Sequence, residues 1–352
     1  MRVLAYRAGR VQIEDRAVPE PGPDEVVVRT RIASLCSADL APIRGESNVP
    51  DGIVLGHEAV GVVFAVGKEV KGFAQGDRVA VASGTSCGRC DNCQRGFDGH
   101  CGGQAGGAYS SGVTRDGSLA EYFVVPAAER NLARIPENVE DIAAVCATDT
   151  LSSGMTGPEA ARIPLGGTVA VFGQGNIGLG ATAGARALGA GLVVAVRKSA
   201  TQDNIGTVMG ADICLNYEEH DVQAEIHRLT RGAGVDCAIE ASGASSSFPQ
   251  AIEATRLGGT VVVLSSYSGT PGAALEIPLE QWGWGIGDKR ILSTFAWTGA
   301  ERLERLLRLI SMGRIDPRPL VTHRYDFDDI LLAFSDLGRR NSDMIKPVIL
   351  FP

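Results

Sequence analysis

Four cysteines, Cys87, Cys90, Cys93 and Cys101, stand in the spacing C-x2-C-x2-C-x7-C within a glycine-rich stretch. Thiolates at that spacing can wrap one tetrahedral zinc and close its coordination, which makes a structural site rather than a reactive one. A redox dithiol needs only two cysteines, and disulfides belong to oxidising compartments, so metal is the better account of the cluster. Cys36, Cys146, Cys214 and Cys237 are scattered. Ahead of the cluster, Gly56-His57-Glu58 places an imidazole beside a carboxylate, although a lone histidine beside a glutamate is most often an ordinary packed side chain.

A second stretch, residues 168–178, reads TVAVFGQGNIG. An apolar run is followed by Gly173, Gly175 and Gly178 in G-x-G-x-x-G spacing, with Asn176 just before an Ala/Leu-rich segment that Ile177 opens and that runs over 177–188. Strand, glycine turn and helix form a dinucleotide fingerprint: the first glycine permits the turn, the second lets backbone approach a pyrophosphate, and the third lets helix pack on strand. Unpaired N–H groups and the helix dipole favour phosphate at such a terminus.

The flanking elements must hold these groups. Residues 2–6, 11–15 and 26–32 are short β-prone runs separated by turns, and 59–66 continues that pattern. The stretch 103–118 is Gly/Ser-rich and reads as a loop, 119–125 returns to strand, and 142–147 is helical. From 168 onward apolar runs at 168–172, 192–196, 212–216, 235–240, 260–265 and 290–295 alternate with spacers, which predicts an α/β domain with a doubly wound parallel sheet. A helix over 302–311 and a closing strand over 346–350 then return to the first domain. The expected division is therefore 1–152 with 296–352, carrying a zinc lobe at 87–101, and 153–295 for the dinucleotide. A net charge of −8 argues against nucleic acid and anionic membrane surfaces. The opening residues MRVLAYRAGRVQIEDR have no apolar core, so a secretory signal is not expected and a soluble, cytoplasmic protein is.

The run GHEAVGVVFAVG, the cysteine cluster, the glycine motif and the ending MIKPVI together resemble the zinc-containing alcohol dehydrogenases of the medium-chain dehydrogenase/reductase superfamily. Within it, GHEAVG, the Asp-x4-Gly of Asp149 to Gly154 and LVTH at 320–323 are similar to bacterial secondary-alcohol dehydrogenases. The resemblance implies a β-rich, GroES-like catalytic domain beside a Rossmann cofactor domain, and two zinc ions per chain. The catalytic ligands then fall on Cys36, His57 and Asp149, with Cys146 a rival for the third. Glu58 would approach the metal when its fourth position is empty, and Asp39 would fix the tautomer of His57. Such a zinc acts as a Lewis acid on the substrate oxygen while a nicotinamide carries the hydride. Ser153 falls where the family contacts that nicotinamide, and Lys346 matches a basic residue aimed at the pyrophosphate. Ala38 and Ala41 stand where the family has its proton relay, which leaves the role to neighbouring Ser37 or to water.

For NAD the fingerprint expects an acid about 20 residues on, to bind the ribose 2′-hydroxyl. The corresponding strand ends at Arg197 and Lys198, and no acid follows until Asp203. That predicts a 2′-phosphate and hence NADP(H). Tyr217 aligns with a tyrosine that NADP-dependent relatives place against the adenosine. The resemblance puts Tyr109, Tyr267 and Trp297 near the substrate pocket, with Ser110 and Ser111 in the neighbouring loop. The expected partner is a small alcohol or carbonyl compound, with a polyol, sugar or cyclitol as an alternative. A zinc-free enone or quinone reductase and a non-catalytic NADP(H)-binding protein are the competing functions. A homo-oligomer, tetramer before dimer, is expected from the resemblance and from the Trp-containing stretch 282–286.

Overall fold

Six strands, in the spatial order Ile213–Asn216, Leu192–Arg197, Thr168–Phe172, Val235–Glu240, Thr255–Val263 and Arg290–Ser293, form a sheet whose neighbours all run parallel. The strand order reverses direction beside Thr168–Phe172, so the crevice of this sheet opens next to the glycine turn. Both faces are covered, which is why the strands read as continuous apolar runs. Ala170 and Phe172 pack with Phe248, Ala251 and Ile252 on one face, whereas Val169 and Val171 pack with Ala181 and Ala185 on the other. The computed structural model in which these elements are seen describes residues 1–103, 111–267, 274–339 and 343–352. By its internal contacts the chain divides into Met1–Ser152 with Ala296–Pro352, and Ser153–Phe295.

The first of these units is a β structure. An antiparallel hairpin joins Arg2–Arg7 to Arg10–Asp15. A larger sheet runs in the order Val321–Asp326, Lys346–Leu350, Val26–Ser34, Glu58–Val66, Arg78–Val81 and Leu132–Arg134, with Tyr122–Val125 pairing Val26–Ser34 off this path. Leu4, Val28, Leu55, Val63, Phe123 and Phe327 belong to its core. The strand Val321–Asp326, parallel to Lys346–Leu350, was not among the strands read from sequence. The helix expected over 142–147 is Asp141–Cys146, and it continues through one π turn, Ala147–Leu151, into Ser152–Ala161. The helix expected over 302–311 begins two residues earlier, as Ala300–Ser311.

Candidate active site and metal centres

Strand register brings the first two candidate ligands together. Ser34 lies opposite Glu58 in the antiparallel pair, so Cys36, just beyond one strand end, meets His57, just before the other. Asp149 arrives from the π turn. A π turn carries one residue more than an α turn and shifts the face that a helix presents, and such turns recur at functional sites. The result is a set in which one ligand atom each of Cys36, His57, Glu58 and Asp149 lies within 4.8 Å of every other. Cys146 stands outside this set; its thiol donates to the Ile142 and Pro317 carbonyls, 3.6 Å away in each case.

Neighbouring groups orient the set. His57 Nδ1 is 3.2 Å from Asp39 Oδ1, which leaves Nε2 as the ring's ligand atom, and the other Asp39 oxygen accepts from the Cys36 backbone N–H at 2.9 Å. Ser83 Oγ donates to Asp149 Oδ1 at 3.2 Å. Lys346 Nζ donates to Glu58 Oε2, and both side chains are fully buried. Glu58 Oε1 is buried with no hydrogen-bond partner among the described residues. Burial raises the Glu58 carboxyl, with Lys346 pulling against it and the Asp149 charge adding to the rise. Burial opposes the charged form of His57, yet Asp39 raises its pKa well above the usual imidazole value. Sulfur, imidazole and carboxylate donors around a shared point, one oxygen unsatisfied, fit a zinc ion.

The cysteine cluster is likewise assembled, with Cys87, Cys90, Cys93 and Cys101 sulfurs mutually within 4.8 Å. Backbone amides point at these sulfurs: Gly102 N–H donates to Cys90 Sγ at 3.3 Å, Cys90 N–H to Cys87 Sγ at 3.4 Å, and Cys87 N–H to Cys101 Sγ at 3.3 Å. The amide donors bring the Cys90 thiol down to about 6, whereas burial pushes Cys93 and Cys101 up. All eight cysteines are free of disulfides.

In the other unit, Gly173 follows Phe172 with φ +91°, a conformation that favours glycine, and a Cβ there would press on the Ser242 backbone at 2.8 Å. A Cβ on Gly178 would strike the Gly173 carbonyl oxygen. Gly175 is different. Its φ is −74°, and a Cβ there would meet nothing within 4 Å among the described residues. Neither its conformation nor packing among the described residues requires a glycine there, whereas a ligand lying against the backbone would. The turn leads into Asn176–Ala187, whose first residues include Asn176 and Ile177.

Residues 22–137 match the alcohol dehydrogenase GroES-like domain, and residues 176–311 the zinc-binding dehydrogenase domain. An alcohol dehydrogenase of Cupriavidus necator is 36% identical over 354 residues, spanning 97% of this chain and 96% of that one. An NADP-dependent isopropanol dehydrogenase of Thermoanaerobacter brockii is 38% identical over 344 residues, 97% of each chain. The chain belongs to the zinc-binding alcohol dehydrogenases. The solved alcohol dehydrogenase TADH of Thermus sp. ATN1 matches its fold over all of both chains, with a TM-score of 0.88 at 27% identity.

Several residues singled out from the dehydrogenase's sequence have partners that alter their meaning. The Lys346 ammonium is enclosed with Glu58 in the structure, whereas the sequence reading aimed it at a pyrophosphate. The Tyr267 hydroxyl donates to Glu240 Oε2 at 2.6 Å, so it is committed to a buried carboxylate rather than open to a substrate. Trp297 has its ring under the Arg302 guanidinium, 5.8 Å from the centroid, and its carbonyl accepts from Ser152. Arg197 is buried and forms a two-pronged ion pair with Asp203; Lys198 is 57% exposed and lies 2.9 Å from Glu218. Tyr217 is half exposed, with its N–H on the Arg197 carbonyl at 3.1 Å. Ser37 is exposed on the turn after Cys36, and Ser153 lies in the helix that follows the π turn. Tyr109 and Ser110 lie outside the described residues. Sequence reasoning missed Ser83, Glu218 and Glu240, and it noted Asp203 without its pairing to Arg197. Only Asp203 carried a local signal: the Ser199 capping box with Gln202 announces a helix start and puts Asp203 in its first turn.

Proposed function

We propose that this dehydrogenase interconverts secondary alcohols and ketones with NADP(H) as its hydride carrier. The observation that carries the reading is the convergence of Cys36, His57, Glu58 and Asp149 on one point. The name of the Thermoanaerobacter brockii relative supports the cofactor and the substrate class. Cys36, His57 and Asp149 would hold the catalytic zinc, and the cysteines at 87, 90, 93 and 101 the structural one. Zinc supplies a Lewis acid that makes an alcohol hydroxyl easier to deprotonate. NADP(H) supplies or takes the hydride. Gly173, Gly175, Asn176, Ile177 and Gly178 form the cradle for its pyrophosphate, with Ser153 toward the nicotinamide and Tyr217 toward the adenosine.

The surrounding side chains do the positioning. Asp39 holds His57 by Nδ1 and keeps Nε2 as the ligand atom. Ser83 fixes one oxygen of Asp149. Lys346 balances the charge of Glu58 next to the ligands. Ser37, exposed beside Cys36, or water would pass the alcohol proton to solvent. No helix among the described residues is long and apolar enough to cross a membrane. We place the enzyme in the cytoplasm, where reduced thiols persist, as a homo-oligomer.

The test is a panel of primary alcohols, secondary alcohols, polyols and ketones assayed with NADP+ or NADPH. Secondary alcohols and their ketones should give the highest kcat/KM. Turnover of polyols or primary alcohols above every secondary alcohol would overturn the substrate class.

A further inference from the structure

Arg197 and Lys198 both stand where a 2′-phosphate would be recognised, but the structure treats them differently. The strand Leu192–Arg197 ends on Arg197, and the chain turns at once into the helix Ala200–Val208. Ser199 caps that helix, its side chain accepting from the Gln202 N–H, while Gln202 Oε1 accepts from the N–H groups of Lys198 and Ser199. This closed turn delivers Asp203 to the Arg197 guanidinium, where Nε and Nη2 donate to its two carboxylate oxygens. The Arg197 side chain is 9% exposed and Asp203 31%. A planar fork matched to both oxygens of one carboxylate is a strong, directional pair. Lys198 is the opposite case. Its ammonium is a single point charge, 57% exposed, and its partner Glu218 is 53% exposed. Exposed pairs of that kind are weak and give way to a competitor.

We infer that Asp203 is a specificity-determining residue: by pairing with Arg197 it withholds that charge from the cofactor and leaves Lys198 to recognise the 2′-phosphate. This rests on the NADP(H) reading above. It also limits the preference, because the two cations and their two carboxylates sum to no net charge.

The test uses two adenosine fragments, 2′,5′-ADP and 5′-AMP, titrated calorimetrically into the intact zinc-loaded enzyme at low ionic strength. They differ by the 2′-phosphate and require no turnover. Asp203→Asn should tighten 2′,5′-ADP about tenfold while leaving 5′-AMP within about twofold, since one charge-assisted contact to an anion is of that order. Lys198→Ala should weaken 2′,5′-ADP about tenfold. The charge-neutral double variant Arg197→Met with Asp203→Asn should stay within about threefold of the native protein. An unchanged ratio of the two affinities in a folded Asp203→Asn protein would overturn the inference. So would a loss of tenfold or more in the double variant, which remains decisive if Asp203→Asn alone does not fold. A native protein that binds 2′,5′-ADP no tighter than 5′-AMP would instead overturn the NADP(H) reading, and the shift produced by Asp203→Asn would still decide the role of Asp203.

Discussion

Lys346 and Glu58, 288 residues apart in the chain, meet as an ion pair in which neither side chain is exposed. Lys346 opens the strand Lys346–Leu350, which pairs with Val26–Ser34, and that strand in turn pairs with Glu58–Val66. Two strand pairings thus set the contact. Removing one end strands a charge: Lys346→Met should cost about 3–5 kcal/mol in urea unfolding of the zinc-loaded protein. Replacing both ends, Glu58→Met with Lys346→Met, should cost clearly less than that single change. Equal losses in the single and double variants would show that the pair contributes through shape rather than charge.

The two donor sets predict about two zinc ions per chain, one closed and one open to substrate. Elemental analysis of well-dialysed protein should return about two equivalents, and about one would sink the two-site assignment. Cys90→Ser should lower the yield of folded protein, because it removes one of the four amide-oriented sulfurs that would hold a structural zinc, whose binding energy is folding energy. Cys36→Ser should remove most activity and leave the circular dichroism spectrum unchanged.

Much of the fold was legible because its signals are local. All six strands of the parallel sheet overlap the apolar runs that predict them, although the fifth, Thr255–Val263, begins ahead of its run at 260–265, and the glycine motif sits at the predicted strand end. The family resemblance put the third ligand on Asp149, preferred over Cys146 by its spacing to Ser153 and Gly154, and the structure brings Asp149, not Cys146, into the donor set. What escaped were pairings made by tertiary folding. No local pattern tells that Lys346 faces Glu58 or that Tyr267 donates to Glu240. The π turn escaped too: Thr148, Asp149 and Thr150 are poor helix formers, so the sequence pattern ends the helix at 147, and its continuation through this buried stretch is set by packing. Counting cations at a strand end overstated their availability for the same reason: their carboxylate partners lie six and twenty residues away.

Glu240 predicts an acid dependence for the unit 153–295. It is fully buried, and burial would raise its pKa, but donors from Ser242, Ser247 and Tyr267 overcome this and hold it below the usual value. A depressed carboxyl contributes stability that is present above its unfolded pKa of about 4.3 and is lost as pH falls through the folded value. Unfolding measured from about pH 6 downward should therefore show stability declining below about pH 4.3. In Glu240→Gln, part of that slope should vanish. A variant whose acid limb matches the native one would remove Glu240 from the account.

The strand Arg290–Ser293 ends its sheet with one side unpaired among the described strands. Leading to it, Trp284 is 70% exposed and Ile286 86%, an unfavourable display in a lone chain. An edge strand beside apolar side chains is a template for pairing with another copy. Light scattering at micromolar concentration should give a tetramer, or else a dimer, and Trp284→Asp with Ile286→Asp should lower the mass. A monomer in the native protein would refute the assembly.

NADPH should be preferred to NADH, and by a margin that salt reduces. The discriminating contact is assigned to Lys198, since Arg197 is held by Asp203. A charge-assisted contact contributes about 1.5–3 kcal/mol, which corresponds to roughly tenfold to a hundredfold in affinity. Glu218 competes for the same ammonium, so the lower end of that range is expected. Because Lys198 and Glu218 are both more than half exposed, raising the ionic strength should shrink the ratio of kcat/KM for NADPH to that for NADH. Lys198→Ala should lower this ratio about tenfold, chiefly through KM for NADPH, since NADH has only a hydroxyl at that position. Glu218→Gln should raise it by freeing the ammonium. A native ratio below one at low salt would mean that the exposed lysine is a solvated surface group, and that the nucleotide is selected elsewhere.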